Sequence, residues 1–386
     1  MKLLHTSDWH VGRTIRGRTR AGEHEAVLAE IAAVAADHSV DLVVVAGDLF
    51  DTTAPTPESE RIVYRALLDL EATAPVMVLA GNHDNERRLQ AVEPLLGRGR
   101  IVTAARFALP PEGVAEIRTA AGEEVQVALL PFLSQRTALR ADELMAQDAS
   151  EHVQAYAQIV QDAIGRLSAA FRPGAVHVIA AHLFADGGLV GGSERLAHTV
   201  LGYAVSPHVF PPSAHYVALG HLHRPQSVGA AFIRYAGSPL QLDFGEAGEA
   251  KSVTVVEASA STPARATQVP LTAGRRLRVV EGTLAQLRAL ADGDGKGDSV
   301  GDDHLKVVVR EPARAGLADD VRCLFEHCVD VVVEAPAAIG DGTARPSRRG
   351  KAPSELLHAY LQANTMDDAR LEALFAGLLD EATSDA

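Results

Sequence analysis

Five short apolar runs in this chain each end at a residue able to hold a metal ion. That pattern limits the fold more than anything else in the sequence. "MKLL" (1–4), "DLVVVAG" (41–47), "PVMVLAG" (75–81), "AVHVIAAH" (175–182) and "HYVALGH" (215–221) are rich in Val, Leu and Ala. They lack the alternation of a strand with one wet face, so they predict strands covered on both sides. "EHEAVLAEIAAVAADH" (23–38) and "ESERIVYRALLDL" (58–70) lie between the first three and carry apolar residues at helical spacing. "VQVALLPF" (125–132) and "SVTVVE" (252–257) read as further strands. Strands and helices in this arrangement predict a layered α/β domain over residues 1–270.

The strand ends carry the chemistry. Asp8 and His10 follow the first strand, Asp48 the second, and Asn82, His83 and Asp84 the third; His182 and the pair His221 and His223 follow the last two. A single Asp or His after a strand is usually a turn or cap residue. Seven candidate ligands at five strand ends are another matter, because open α/β sheets place their sites outside the carboxyl edge. Asp8, His10, Asp48, Asn82, His182, His221 and His223 suit two divalent ions sharing one carboxylate, with Asp48 as the natural bridge. The donors are carboxylate, imidazole and amide without thiolate. That mix favours Mn²⁺, with Fe²⁺ or Zn²⁺ as alternatives.

Composition adds bounds. The 386 residues allow more than one domain, and 47% hydrophobic with 22% charged residues describes an ordinary globular protein. A net charge of −14 argues against indiscriminate nucleic-acid binding but leaves room for a local basic surface. No apolar run approaches the roughly 20 residues needed to span a bilayer. "MKLLHTSDWH" turns polar too early for a signal peptide. Cys323 and Cys328 sit five apart on a predicted helix, on different faces, so no disulfide is expected and a reducing cytoplasm fits.

After residue 270 the pattern changes. "RRLRVVEG" (275–282), "LAQLRALA" (284–291), "HLKVVVRE" (304–311), "LADDVRCLFEHC" (317–328) and "VDVVVEAP" (329–336) read β-α-β-α-β, a small second α+β domain over 271–340. Residues 341–352, rich in Gly, Pro and Arg, read as a linker. The tail, 353–386, holds two short amphipathic helices that are marginal alone and need a surface to cover them.

"DWH" (8–10), "GDLFD" (47–51), "GNHD" (81–84) and "GHLH" (220–223) together resemble the calcineurin-like metallophosphoesterase superfamily. "LHTSDWHVG", "VAGDLFDT", "YVALGHLHRPQ" and "RYAGSPLQLDFGE" are similar, more narrowly, to the nuclease subunits of bacterial complexes that work with a coiled-coil ATPase. The resemblance implies two sheets flanked by helices, with a small capping domain and a helical tail. It implies one ion held by Asp8, His10, Asp48 and His223, and a second by Asp48, Asn82, His182 and His221. It assigns His83 to the scissile phosphate and leaving oxygen, a role that suits imidazole near neutral pH. Archaeal and eukaryotic members carry a histidine where this chain has Asp51; its carboxylate is expected to orient His83 and keep it protonated. DNA processing in the cytoplasm, at the nucleoid, and a homodimer are also implied.

Other segments fit around that core. "RTIRGRTR" (13–20) follows the first ligand pair, so Arg13, Arg16, Arg18 and Arg20 are expected to dock DNA phosphates, with Arg87 and Arg88 as further candidates. Leu356, Leu357, Tyr360 and Leu361, then Leu371, Leu374, Phe375 and Leu378, form the apolar face by which the tail would grip the ATPase. His5 and His177 are expected in the core or behind the site, and Trp9 packed behind it. The competing readings are a phosphodiesterase for small substrates such as cyclic nucleotides and a scaffold that has lost catalysis.

Overall fold

The apolar runs become strands because both of their faces find cover. The computed structural model describes residues 1–134, 149–194, 203–293 and 300–334, with short helical pieces at 356–358, 360–361, 370–371 and 374–375. In chain order the elements are β1 (Lys2–Thr6), α1 (Ala21–Asp37), β2 (Leu42–Val45), α2 (Pro57–Glu71), β3 (Val76–Leu79), α3 (Glu86–Leu96), β4 (Ile101–Ala104), β5 (Val114–Arg118), β6 (Glu124–Leu130), α4 (Ala149–Ser168), β7 (Val176–His182), β8 (Phe184–Ala185) and β9 (Ala204–Val205). They continue as β10 (Tyr216–Gly220), β11 (Gln226–Val228), β12 (Ala230–Tyr235), β13 (Ser252–Ser259), β14 (Thr262–Pro270), β15 (Leu277–Gly282), α5 (Leu284–Ala291), β16 (His304–Val309), α6 (Leu317–Leu324) and β17 (Cys328–Val333).

One six-stranded sheet has the order β14-β13-β1-β2-β3-β4 and the other β11-β12-β10-β7-β6-β5. Strands β1 to β4 of the first and β6, β7, β10 and β12 of the second run parallel. The period of two along each strand divides its side chains between two cores. Leu42 and Val44 of β2, with Met77 and Leu79 of β3, meet Val178 and Ala180 of β7 and Ala218 of β10 between the sheets. Val43, Val45, Val76 and Val78 face the other way, into a core shared with Val27, Leu28 and Ile31 of α1 and Ile62, Val63 and Leu67 of α2. Each such side chain, fully buried, contributes about 1.5–3 kcal/mol. α2 starts where Thr56 accepts a hydrogen bond from the Ser59 N–H, with Pro57 filling a first-turn position that needs no donor. On the far side of the second sheet, Tyr156, Val160, Ile164 and Leu167 of α4 cover Ile179, Ala181, Val217 and Leu219.

Several strands escape the sequence pattern, β4, β5, β11, β12 and β14 among them. β4 and β5 sit at the edges of the two sheets and are only partly buried, so neither carries an unbroken apolar run. The β-α-β-α-β segment forms a third, all-parallel sheet, β15-β16-β17, with its own core of Val280, Leu287, Val307, Val309 and Val321. The structure corrects the position of Cys328: α6 ends at Leu324, Phe325 is extended, and Cys328 opens β17 instead of continuing the helix. Cys323 and Cys328 are unpaired.

Side chains tie the third sheet to α1. His304 Nε2 lies 2.9 Å from Glu23 Oε1, and the Arg275 N–H donates to Glu23 Oε2 at 2.9 Å. Burial works to raise the Glu23 pKa, but the hydrogen bonds from His304 and Arg20 outweigh it and bring the pKa from 4.5 down to about 2. A folded-state pKa below the unfolded one contributes stability that is complete above pH 4.5 and is lost as pH falls toward 2. Glu23→Gln should therefore lose less stability than wild type across that acid interval, measured by urea denaturation at stepped pH.

The chain divides into two compact units, 1–335 and 336–386. In the second, Leu356, Leu357, Tyr360, Leu361, Leu371, Leu374 and Phe375 are helical, with Tyr360 and Leu374 well exposed. Leu378 and the 341–352 linker lie outside the described residues. Among the described residues, no helix is long and apolar enough to cross a membrane.

Candidate metal centre

The parallel strands of both sheets deliver their last residues to one edge. Beyond the first sheet the loops after β1 and β2 stay in register: Asp8 N–H donates to Gly47 O at 2.9 Å and His10 N–H to Asp48 O at 3.0 Å. In the second sheet, His182 pairs with Gly220, immediately before His221. Asp8, His10, Asp48 and His221 all have left-handed backbone, with φ of 53°, 45°, 52° and 108°. Side chains resist that region, and its concentration at four candidate ligands marks strain held at a working site. Gly81 and Gly220 permit the close approach: a Cβ on Gly81 would strike the Asp48 carboxylate, and one on Gly220 the Ala46 carbonyl.

The buried side chains form three overlapping groups whose ligand atoms lie within 4.8 Å of one another: Asp8–His10–His223, His10–Asp48–His83 and Asp8–Asp48–His182. Asp48 Oδ2 stands 3.5 Å from His10 Nε2 and 3.5 Å from His182 Nε2, midway between the two halves. Asn82 Oδ1 lies 3.0 Å from His182 Nε2 and 2.9 Å from His221 Nδ1. The seven expected ligands therefore stand together.

The donor set fits cations. His182 Nδ1 donates to Ala46 O at 2.8 Å, which leaves a lone pair on Nε2 facing the Asn82 oxygen. His10 Nδ1 faces the Asp51 carboxylate at 3.5 Å and His223 Nδ1 faces Glu246 Oε1 at 3.2 Å, so each imidazole, when neutral, is favoured to hold its proton on the outer nitrogen. In that neutral form their Nε2 lone pairs confront each other across 3.1 Å. A positive ion resolves that opposition. The carboxylates agree. Burial, opposed by His182 and His223, pushes Asp8 up to about 6, and burial with the Asp48 charge pushes Asp84 up to about 7. Burial would raise Asp48 as well, but His182, His83 and His10 hold it below the usual carboxylate range.

A family profile described as "Calcineurin-like phosphoesterase" matches residues 1–225, more than half of the chain. The chain belongs to the calcineurin-like phosphoesterases. Similar relatives are described as the D subunits of SbcCD nucleases. That of Bacillus subtilis is 38% identical over 283 residues, covering 72% of this chain and 71% of the relative. That of Rhodobacter capsulatus is 35% identical over 284 residues, covering 70% and 69%. That of Escherichia coli K12 is 30% identical over 297 residues, covering 75% and 73%. This phosphoesterase is thus an enzyme whose buried His and Asp clusters suit a two-metal centre.

Around that centre the phosphoesterase differs from the sequence reading in two respects. His83 Nδ1 meets the main-chain carbonyl of Asp51 at 2.7 Å, while the Asp51 carboxylate turns to His10 and, at 3.3 Å, to Arg13. The hydrogen bond between His83 and residue 51 is thus to the backbone carbonyl, while the Asp51 carboxylate acts on His83 through its charge. The arginine segment is also put to other uses. Arg20 is 2% exposed and pairs with Glu23 at 2.8 Å while donating to Gln241 O, which makes it a buried structural tie. Arg16 pairs with Asp330 at 2.9 Å and Asp243 at 3.3 Å, and Arg18 donates to Cys328 O at 3.1 Å. Arg88 pairs with Glu60. Arg13 is partly exposed and pairs with Asp51 at 3.3 Å.

Several residues at the centre were not signalled as such. The Asp84 carboxylate accepts from the N–H groups of Leu49, Phe50 and Gly81 and locks the β2 and β3 loops together. Glu194 accepts from the N–H groups of Gly191, Gly192, Ser193 and His223. Glu246 and Lys251 form a buried pair at 2.7 Å behind His223. Asp84 lies within "GNHD" and Glu246 closes "LDFGE", so motif membership was the available signal. Trp9 is fully buried, with Nε1 donating to Thr6 Oγ1 at 3.0 Å, and His5 is buried with Nδ1 2.9 Å from Tyr216 Oη.

Proposed function

We propose that this phosphoesterase is a two-metal DNA nuclease, the nuclease subunit of an SbcCD-type ATP-dependent repair complex. It would act as an exonuclease on duplex ends and an endonuclease on single strands and hairpins. The observation that carries the reading is the gathering of the seven candidate ligands in overlapping groups about Asp48, in a chain similar over most of its length to nuclease D subunits. Two divalent ions, Mn²⁺ by donor type, would be held by Asp8, His10, Asp48 and His223, and by Asp48, Asn82, His182 and His221. When bound, they supply charge at the phosphoryl oxygens and acidify a shared water.

The chain's own residues do the rest. Asp48, with Oδ2 between the two halves and Oδ1 accepting the His83 N–H at 2.8 Å, fixes the spacing of the halves and the place of His83. His83, its Nδ1–H held by the Asp51 carbonyl, would in its imidazolium form present Nε2–H to give a proton to the departing sugar oxygen and be left as neutral imidazole. Asp51 positions both His83, through its carbonyl, and His10, through its carboxylate. Asp51→Asn keeps the carbonyl and removes the charge. It should weaken Mn²⁺ binding by about 10-fold while turnover at saturating Mn²⁺ stays near wild type. Titration calorimetry beside saturated rates checks this; a fall in saturated turnover would return the role to the carboxylate.

In this reading residues 271–340 are a capping domain and 341–352 a linker. The tail (353–386) docks on the coiled coil of an SbcC-like ATPase through Leu356, Leu357, Tyr360, Leu361, Leu371, Leu374, Phe375 and Leu378. The enzyme works as a homodimer in the cytoplasm, at the nucleoid. Arg13 is the arginine best placed for the DNA backbone. Mn²⁺-dependent cleavage of a hairpin DNA, run beside bis-p-nitrophenyl phosphate, tests the substrate class. Hairpin cleavage is expected. Hydrolysis of the small diester alone, with DNA untouched in the presence of the ATPase, would favour a small-molecule phosphodiesterase.

A further inference from the structure

His223 is held from more sides than any catalytic geometry needs unless its ring must carry one particular proton. Its main-chain N–H donates to Glu194 Oε1 at 3.1 Å, and its carbonyl accepts from Lys251 Nζ at 3.0 Å. Its ring nitrogen Nδ1 lies 2.6 Å from Ser193 Oγ and 3.2 Å from Glu246 Oε1. Ser193 Oγ in turn donates its own proton to Glu246 Oε1. A hydroxyl that has given its proton to a carboxylate can only accept from its other neighbour. The chain of bonds is therefore directional: His223 Nδ1–H to Ser193 Oγ, and Ser193 Oγ–H to Glu246.

We infer that Glu246 is a positioning residue that fixes the tautomer of His223, through Ser193 and by direct contact, so that Nε2 keeps its lone pair toward His10 and the cation. Glu246 has no solvent exposure, and its other oxygen accepts from the Leu242 N–H at 3.0 Å and pairs with Lys251 at 2.7 Å. Lys251 thus neutralises the buried carboxylate without competing for the oxygen that faces the ring. A neutral amide at this position would reverse the logic. Its N–H groups could donate to Ser193 or to the ring as readily as its oxygen accepts, so the Nε2–H form would become populated and the cation would lose that lone pair for part of the time.

The inference rests on the two-cation reading, and the test separates the two. The first measurement is the tautomer of His223 in the cation-free full-length protein, from nitrogen-15 NMR of labelled histidine at alkaline pH. The Nδ1–H form is expected in wild type, and an Nε2–H ring there would overturn the inference with no variant needed. The second compares Mn²⁺ titrations of wild type, Glu246→Gln and Ser193→Ala. Glu246→Gln should mix the tautomers and weaken one of two Mn²⁺ sites by about 10- to 100-fold, leaving the other intact. Ser193→Ala, which keeps the direct 3.2 Å contact and the Lys251 pair, should retain the Nδ1–H form with a smaller loss. Unchanged tautomer and unchanged affinity in a folded Glu246→Gln protein would contradict the role of Glu246. Failure of wild type to bind two Mn²⁺ ions would instead contradict the metal centre itself.

Discussion

Asp48→Asn is expected to reduce metal-dependent phosphodiester hydrolysis by about 1,000-fold or more and to leave fewer than two Mn²⁺ ions bound. The side chain keeps its shape, so Oδ1 can still accept the His83 N–H that now lies 2.8 Å away. What changes is the atom at the midpoint. An amide nitrogen would replace Oδ2 and direct its two protons at His10 Nε2 and His182 Nε2, each 3.5 Å off. Those imidazoles would be satisfied by hydrogen bonds, and the charge that draws both ions would be gone. Calorimetric stoichiometry beside rates at saturating Mn²⁺ decides the matter, with circular dichroism to establish folding. Two ions and near-normal rates would remove Asp48 as the bridge.

His83→Gln is the second large effect, and its signature is different. Both ions should stay, because the bond from residue 83 to Asp48 comes from the main chain. Turnover on DNA should fall about 100- to 10,000-fold, the range for loss of a positioned general acid. With bis-p-nitrophenyl phosphate the loss should be far smaller. A nitrophenolate departs without a proton, whereas a sugar alkoxide does not. Equal losses on the two substrates, or loss of an ion, would move His83 from leaving-group chemistry to metal binding, for which its place beside His10 and Asp48 leaves room.

How far the sequence foretold this arrangement depends on the range of the forces involved. The central strands were legible because covering both faces demands unbroken runs such as "LVVV" and "VMVL", and the buried His and Asp cluster was legible because its members follow such runs. Edge strands β4 and β5 were not, since partial exposure admits polar residues and erases the pattern. The arginine segment shows the limit more sharply. "RTIRGRTR" reads as a basic loop, but the partners of Arg20 and Arg16 lie as far off as Gln241 and Asp330, and only the folded chain brings them together. The same holds behind His223, where Ser193 arrives from the loop after β8 and Glu246 and Lys251 from the connection between β12 and β13. Local pattern records which residues are apolar and which can bind; long-range pairing decides which charges remain for a substrate.

The account depends on one site holding two cations across a shared carboxylate. Crystals soaked in Mn²⁺ and measured at the manganese absorption edge test it most directly. Two anomalous peaks should appear on either side of Asp48 Oδ2, one against His10 and His223 and one against Asn82, His182 and His221. A single peak, or peaks away from Asp48, would contradict it.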